Sequence, residues 1–146
     1  MFRHTLVVDA SVAIKWILPE SDTERALRVQ ESFQNDEIDL IAPFLVVSEV
    51  ANVLWKRQRR GDLDAAAARR CFLQFLQDSP MLLDSAVVSN AALGLAVAHG
   101  RPFYDCLYLA WALEQRCDLL TADERFFNAL GTTYPNIRLL KAFELG

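Results

Sequence analysis

Short, β-rich apolar runs alternate with longer helical patterns along the whole chain, and this alternation restricts the fold more than any other feature. The first run is closed by Asp9 and the second by Pro43. Strands that alternate with helices favour a parallel sheet covered on both faces. We therefore predict a three-layer α/β/α sandwich with a central, mostly parallel sheet of four to five strands. The predicted strands are residues 5–8, 39–42, 81–83, 119–121 and 137–140, and the predicted helices are residues 11–18, 22–33, 45–60, a stretch starting at 62 or 64, 85–99, 102–116 and 123–130.

The composition is that of a folded protein. A length of 146 residues predicts one domain, residues 1–146. The chain is 53% hydrophobic and 23% charged, which excludes a disordered chain. No apolar run approaches the ~20 residues that cross a bilayer, and the first is shorter than a signal sequence requires, so we expect a cytoplasmic protein. The three cysteines form no CxxC pair, which argues against a disulfide framework or a zinc site.

Two acids stand at the predicted ends of strands, and two more stand near the starts of helices. Asp9 follows the first strand directly, and Asp123 follows the fourth strand after one small residue. Glu49 and Asp105 fall in the first turns of their helices, among apolar neighbours. Ligands of open parallel sheets lie beyond the carboxyl ends of the strands, where the following helices begin. The four carboxylates can therefore converge at one edge of the sheet.

Each acid also has an ordinary structural explanation. Asp9 and Asp123 are suitable N-caps, and Glu49 and Asp105 suit the positive end of a helix dipole. Four carboxylates in one pocket, however, would repel one another and resist ionisation. A hard divalent cation such as Mg²⁺ or Mn²⁺ resolves that conflict, because such ions prefer oxygen ligands. Two such cations would also neutralise the net charge of −4.

Several other residues are candidates for supporting roles. Ser11 and Thr121 lie beside the strand-end acids, and Asn52 shares a helix face with Glu49. A cap, an ordinary strand residue and a solvated helix position are the respective alternatives. A basic run on the same helix suggests contacts with RNA phosphates, although a solvated helix end has the same composition. The run consists of Lys56, Arg57, Arg59 and Arg60, with Arg69 and Arg70 on the next helix.

Motifs of other enzyme classes are missing from the sequence. It contains no GxxxxGK or GxGxxG phosphate loop and no GxSxG nucleophile elbow. A metal-dependent phosphatase acting on small phosphoesters remains an alternative. A phosphatase of the haloacid dehalogenase type, however, would have a second aspartate at position 11, where Ser11 stands. A non-catalytic interaction module with a similar fold is the other alternative.

Four segments resemble the PIN-domain family, and more narrowly the VapC toxins of toxin–antitoxin pairs. They read VVDASVAIKWILPE, APFLVVSEVANVLWK, PFYDCLYLAWALE and LLTADERF, in that order along the chain. The acidic quartet of the family falls on Asp9, Glu49, Asp105 and Asp123, with Ser11, Asn52 and Thr121 at its usual polar positions. The resemblance implies a Mg²⁺- or Mn²⁺-dependent endoribonuclease, a hydrolase that acts on structured RNA such as tRNA. It also implies a homodimer and a VapB-type antitoxin partner.

Overall fold

The computed structural model describes residues 4–145, which form a five-stranded sheet between two helical layers. The strands are β1 (His4–Val8), β2 (Ile38–Pro43), β3 (Met81–Leu83), β4 (Asp118–Thr121) and β5 (Ile137–Leu139). The α-helices are α1 (Ala10–Ala13), α2 (Thr23–Gln34), α3 (Leu45–Arg59), α4 (Ala65–Gln77), α5 (Ser89–His99), α6 (Phe103–Glu114) and α7 (Glu124–Leu130). The predicted α/β/α sandwich is confirmed.

Every strand pair in the sheet is parallel, and the strand order is β3-β2-β1-β4-β5. The chain therefore starts in the middle, moves outwards through β2 and β3, and crosses back to β4 on the other side of β1. The strand order thus proceeds in one direction from β1 to β3 and in the opposite direction from β1 to β5. This switch between β1 and β4 leaves a crevice at the carboxyl ends of the two strands, which is where open α/β sheets bind ligands.

Two apolar layers hold the sandwich together, one on each face of the sheet. Because successive side chains of a strand point to opposite faces, Val7 packs with α3, α5 and α6, whereas Leu6 and Val8 pack with α2. All three side chains are fully buried. Burial on both faces explains why β1 reads as a continuous apolar run rather than an alternating one.

Three details differ from the sequence-based expectation. The helix predicted over residues 11–18 is one α-turn followed by a 3₁₀ turn, Ile14–Trp16. The helix predicted over 85–99 likewise begins as a 3₁₀ turn, Ser85–Val88, which the Asp84 side chain caps at the Ala86 N–H. Asp22 precedes α2 in a left-handed conformation, with φ at 61°, and makes no side-chain cap. No helix in residues 4–145 is long and apolar enough to cross a membrane.

Candidate active site

Asp9 stands at the crevice between β1 and β4, and both of its oxygens are held. It is the N-cap of α1, and its Oδ1 accepts hydrogen bonds from the Ser11 N–H at 3.1 Å and the Ser11 hydroxyl at 2.5 Å. Its Oδ2 accepts a hydrogen bond from the Thr121 hydroxyl at 2.5 Å. The carboxylate orientation is thus fixed by donors from the first turn of its own helix and by one hydroxyl from the neighbouring strand.

The two hydroxyls also join the ends of β1 and β4. The Ala122 N–H donates to the Ser11 hydroxyl at 2.8 Å, and the Asp123 N–H donates to the Thr121 hydroxyl at 3.1 Å. Thr121 is fully buried. Ser11 and Thr121 therefore couple the position of Asp9 to that of Asp123, as expected of groups that support a site.

Glu49 reaches the same region from the first turns of α3. The buried Tyr108 of α6 donates its hydroxyl proton to Oε1 of Glu49 at 2.5 Å. Burial of the phenol raises the pKa of Tyr108, and the Glu49 charge and this hydrogen bond add to the rise. Within residues 4–145, Oε2 of Glu49 has no hydrogen-bond partner, so it remains available for a ligand.

Asp105 and Asp123 complete the set of acids. Asp105 is in the first turn of α6, and its Oδ2 lies 3.6 Å from Nη2 of Arg101. Asp123 is the N-cap of α7, and its Oδ1 accepts from the N–H groups of Arg125 and Phe126 at 2.9 and 3.2 Å. Its side chain is exposed at the mouth of the crevice.

All four acids line one pocket of about 100 Å³. Its other walls are Ala10, Ser11, Tyr108 and Phe126. Pockets that enclose whole small molecules usually measure about 300–1,000 Å³. This pocket is smaller, so it suits ions, water and a phosphate group rather than an entire nucleotide.

The pocket holds more negative charge than its surroundings offset. Burial raises the pKa of Asp9 to about 6, although hydrogen bonds from Ser11 and Thr121 oppose the rise. Burial also raises the pKa values of Glu49 and Asp105. Repulsion adds to each of these shifts, from Glu49 on Asp9, from Asp105 on Glu49 and from Asp123 on Asp105. The acids thus form one coupled group that favours a cation.

The chemistry of the donor set fits Mg²⁺ or Mn²⁺, since the titratable groups of the pocket are carboxylates, with a phenol beside them. Within residues 4–145, no three His, Cys, Asp or Glu side chains are grouped tightly enough to hold an ion as they stand. The carboxylates therefore surround the pocket without converging on a single point, and water molecules would complete the coordination of an ion held by one or two of them.

The remaining candidates from the sequence lie outside this pocket. Asn52 is exposed and does not line it. In the basic run, Arg57 pairs with Glu20, and Arg60 pairs with Asp62 at 3.0 Å. The guanidinium of Arg59 lies over the Trp55 ring at 5.3 Å, while Lys56 is exposed.

Sequence reasoning did not single out Tyr108 or Arg101, both of which contact the acids. Tyr108 lies three residues after Asp105 on the same face of α6, and Arg101 lies four residues before Asp105, just ahead of the helix. That spacing was the signal in the sequence, but it does not reveal that Tyr108 reaches across to Glu49. The contact joins residues 59 positions apart.

Comparison with known proteins identifies the family of the chain. The PIN domain family matches residues 6–131. Ribonuclease VapC3 of Pyrobaculum aerophilum is 36% identical over 123 residues, which cover 82% of this chain and 90% of that protein. The crystal structure of PAE2754 from the same organism superposes with a TM-score of 0.70 at 25% identity, over 97% of this chain and 93% of that one.

A toxin–antitoxin complex from Klebsiella pneumoniae contains a chain with the same fold. Its TM-score is 0.63 at 14% identity, over 96% of this chain and 99% of that one. The family match spans most of the chain, and the VapC3 relative is aligned over nearly its whole length. The chain therefore belongs to the PIN-domain family, and within it to the VapC proteins.

Proposed function

We propose that this protein is a Mg²⁺- or Mn²⁺-dependent endoribonuclease and the toxin of a VapBC-type toxin–antitoxin pair. The observation that carries the proposal is the pocket at the strand crossover, which four mutually repelling carboxylates surround. The name of the 36% identical relative, a ribonuclease, supports RNA as the substrate. Structured RNA such as tRNA is the class that we propose.

Asp9, Glu49, Asp105 and Asp123 are the residues that would hold the cations. Bound there, a cation would neutralise charge on the scissile phosphate and lower the pKa of an attacking water. Ser11 and Thr121 hold Asp9 in one orientation, which would fix one wall of the site. The hydroxyl of Tyr108 occupies one oxygen of Glu49, so the other oxygen is placed to bind the ion or to orient the attacking water.

The reaction would be hydrolysis of one phosphodiester. A bond forms between phosphorus and the water oxygen, and the bond from phosphorus to the leaving nucleotide oxygen breaks. The proton lost by the water is balanced by a proton gained at the leaving oxygen. The small pocket accommodates the phosphate itself, so the flanking nucleotides would lie across its mouth. This arrangement favours a polymer over the small phosphoesters of a phosphatase.

A cleavage assay tests the proposal. With Mn²⁺, the protein should cut a circularised structured RNA, a substrate without ends that only an endonuclease can open, and EDTA should abolish cleavage. Asp9→Asn should lose activity by at least about 100-fold, because loss of a ligand should cost no less than loss of an outer-shell partner, which costs about 10–100-fold. Asp118→Asn is the matched control, since Asp118 begins β4 at the opposite end of the strand from the pocket. Equal cleavage by Asp9→Asn and wild type would show that the quartet is not the active site.

The basic run on α3 is proposed to bind the RNA on either side of the cut. A helix rises about 1.5 Å per residue, so Lys56 and Arg59 lie roughly 10–15 Å along α3 from Glu49. Arg57 and Arg60 are already paired with acids, which makes Lys56 and Arg59 the better candidates. The double change Lys56→Ala and Arg59→Ala should flatten the salt dependence of RNA binding.

Partner proteins are proposed on two grounds. A VapB-type antitoxin is supported by membership of the VapC proteins, and its co-expression should relieve growth inhibition by the toxin.

A homodimer is supported by exposed apolar side chains of α5, where Leu93 and Val97 are 53% and 77% exposed. Val97→Glu should reduce the mass in sedimentation equilibrium towards 16.5 kDa. Gln77→Glu, which adds the same charge at an exposed polar position of α4, should leave the mass unchanged.

A further inference from the structure

Arg101 places a positive charge directly beside the acidic pocket. It precedes Pro102, the N-cap of α6, and lies one helical turn before Asp105. Of the ion pairs between residues 4 and 145, the pair of Arg101 with Asp105 is the only one that involves an acid of the quartet. Arg101 therefore lies within reach of an anion that approaches the pocket beside Asp105.

The guanidinium of Arg101 is only loosely engaged. Its Nη2 lies 3.6 Å from Oδ2 of Asp105, whereas charge-assisted hydrogen bonds of this type usually measure about 2.7–2.9 Å. Its Nε is buried and has no hydrogen-bond partner in residues 4–145. A buried donor without a partner is unfavourable, and such groups are uncommon in folded proteins. The side chain thus retains binding capacity that the protein itself does not use.

Pairing with Asp105 does not account for this arrangement. A structural ion pair would be expected to close to hydrogen-bond distance, as Arg60 does with Asp62 at 3.0 Å. Arg101 instead stands where its side chain is 26% exposed, next to a carboxylate that faces the pocket.

We propose that Arg101, which stands beside Asp105, binds a phosphate of the RNA at the mouth of the pocket. The planar guanidinium presents paired N–H donors that match two phosphate oxygens. Because the pocket has room for little more than one phosphate, the neighbouring part of the RNA backbone must lie outside it, and Arg101 stands beside Asp105, one of the lining residues. This inference rests on the proposed nuclease function and adds a substrate-binding residue to it.

RNA binding tests the assignment directly. A fluorescent RNA hairpin is titrated in Mn²⁺ with the Glu49→Gln chain, which should not cut it, and with the same chain carrying Arg101→Ala. We expect Arg101→Ala to raise the Kd about tenfold and to reduce the slope of log K against log salt by about 0.7, the value for one phosphate contact on a single strand. Arg101→Lys keeps the charge without the paired donors, so it should retain the slope and raise the Kd about threefold.

Arg138→Ala is the matched control. Arg138 also pairs with an aspartate, Asp118 at 3.3 Å, but at the start of β4, away from the pocket. Its removal should change neither the Kd nor the slope. In the chain with Glu49 intact, Arg101→Ala should raise KM for RNA more than it lowers kcat.

A purely structural role for Arg101 gives a different pattern. Calorimetric titration with Mn²⁺ alone would then show altered ion binding for Arg101→Ala, while the Kd and the salt slope for RNA would stay as in the parent chain. That result would overturn the proposal. If Arg101→Ala fails to fold, Arg101→Gln replaces it with the same two criteria. Absence of RNA cleavage by the unmodified protein would refute the nuclease function, whereas an unchanged Kd beside normal cleavage would refute only the role of Arg101.

Discussion

Asp9→Asn should make the metal-free protein more stable, although it should abolish the proposed activity. The Asp9 carboxylate is held in a buried crevice close to Glu49, and its pKa is raised from 3.8 to about 6. Each pKa unit corresponds to about 1.4 kcal/mol, so at about pH 8 the ionised carboxylate costs the folded state up to about 3 kcal/mol. Asparagine removes this cost and keeps the N-cap of α1. The asparagine amide can donate to the Thr121 hydroxyl, which in the wild-type protein donates to Asp9.

The sign of the effect follows from the direction of the shift. The carboxyl binds its proton more tightly in the folded than in the unfolded protein, so ionisation destabilises the fold. The destabilisation is absent below about pH 3.8, grows as the pH rises, and is complete above about pH 6. The advantage of Asp9→Asn should therefore be about 3 kcal/mol at about pH 8 and close to zero at about pH 4.

Urea denaturation followed by circular dichroism in EDTA measures this difference. Asp123→Asn is the control, because that carboxylate is exposed and asparagine caps α7 equally well. Addition of Mn²⁺ at about 1,000 times its Kd should reverse the order, since an ion that binds only the folded state then adds about 4.1 kcal/mol to wild type, which exceeds the difference of about 3 kcal/mol. The reasoning is refuted if Asp9→Asn is no more stable than wild type at about pH 8, or if its advantage is the same at about pH 4.

Three further changes test the surroundings of the site and the helices. Thr121→Val removes the hydrogen bonds to Asp9 and from Asp123, so it should lower the free energy of unfolding by about 1–2 kcal/mol and reduce RNA cleavage. Thr121→Ser keeps the hydroxyl, so it should preserve the stability and the cleavage. Gly94→Ala in α5 should raise stability by about 0.5–1 kcal/mol in thermal unfolding, because a Cβ there meets no other atom within 4 Å. Gly131→Ala should lower stability by about 1–3 kcal/mol, since its Cβ would lie 2.6 Å from the Phe127 carbonyl oxygen. Equal effects of the two glycine changes would contradict the packing argument.

The sequence by itself determined the layered fold and the edge of the sheet at which the acids stand. Hydrophobic period and turn residues act over a few neighbouring positions, so strands and helices can be located from local pattern alone. Asp9 and Asp123 could be assigned to that edge because parallel strands share a direction. The same reasoning did not foresee the 3₁₀ turn at Ser85–Val88, since short helical turns of both kinds have similar local patterns.

Only the tertiary structure decided which side chains hold the acids in place. The bond from Thr121 to Asp9 spans 112 positions, and that from Tyr108 to Glu49 spans 59. Such contacts depend on the strand order and on how α3 and α6 pack over the sheet, which no local pattern encodes. Pairing with Glu20 likewise engages Arg57, although the sequence shows it only as part of a basic run. The local sequence pattern therefore determined at which edge of the sheet the acidic residues lie, and packing between distant segments determined their hydrogen-bond and ion-pair partners.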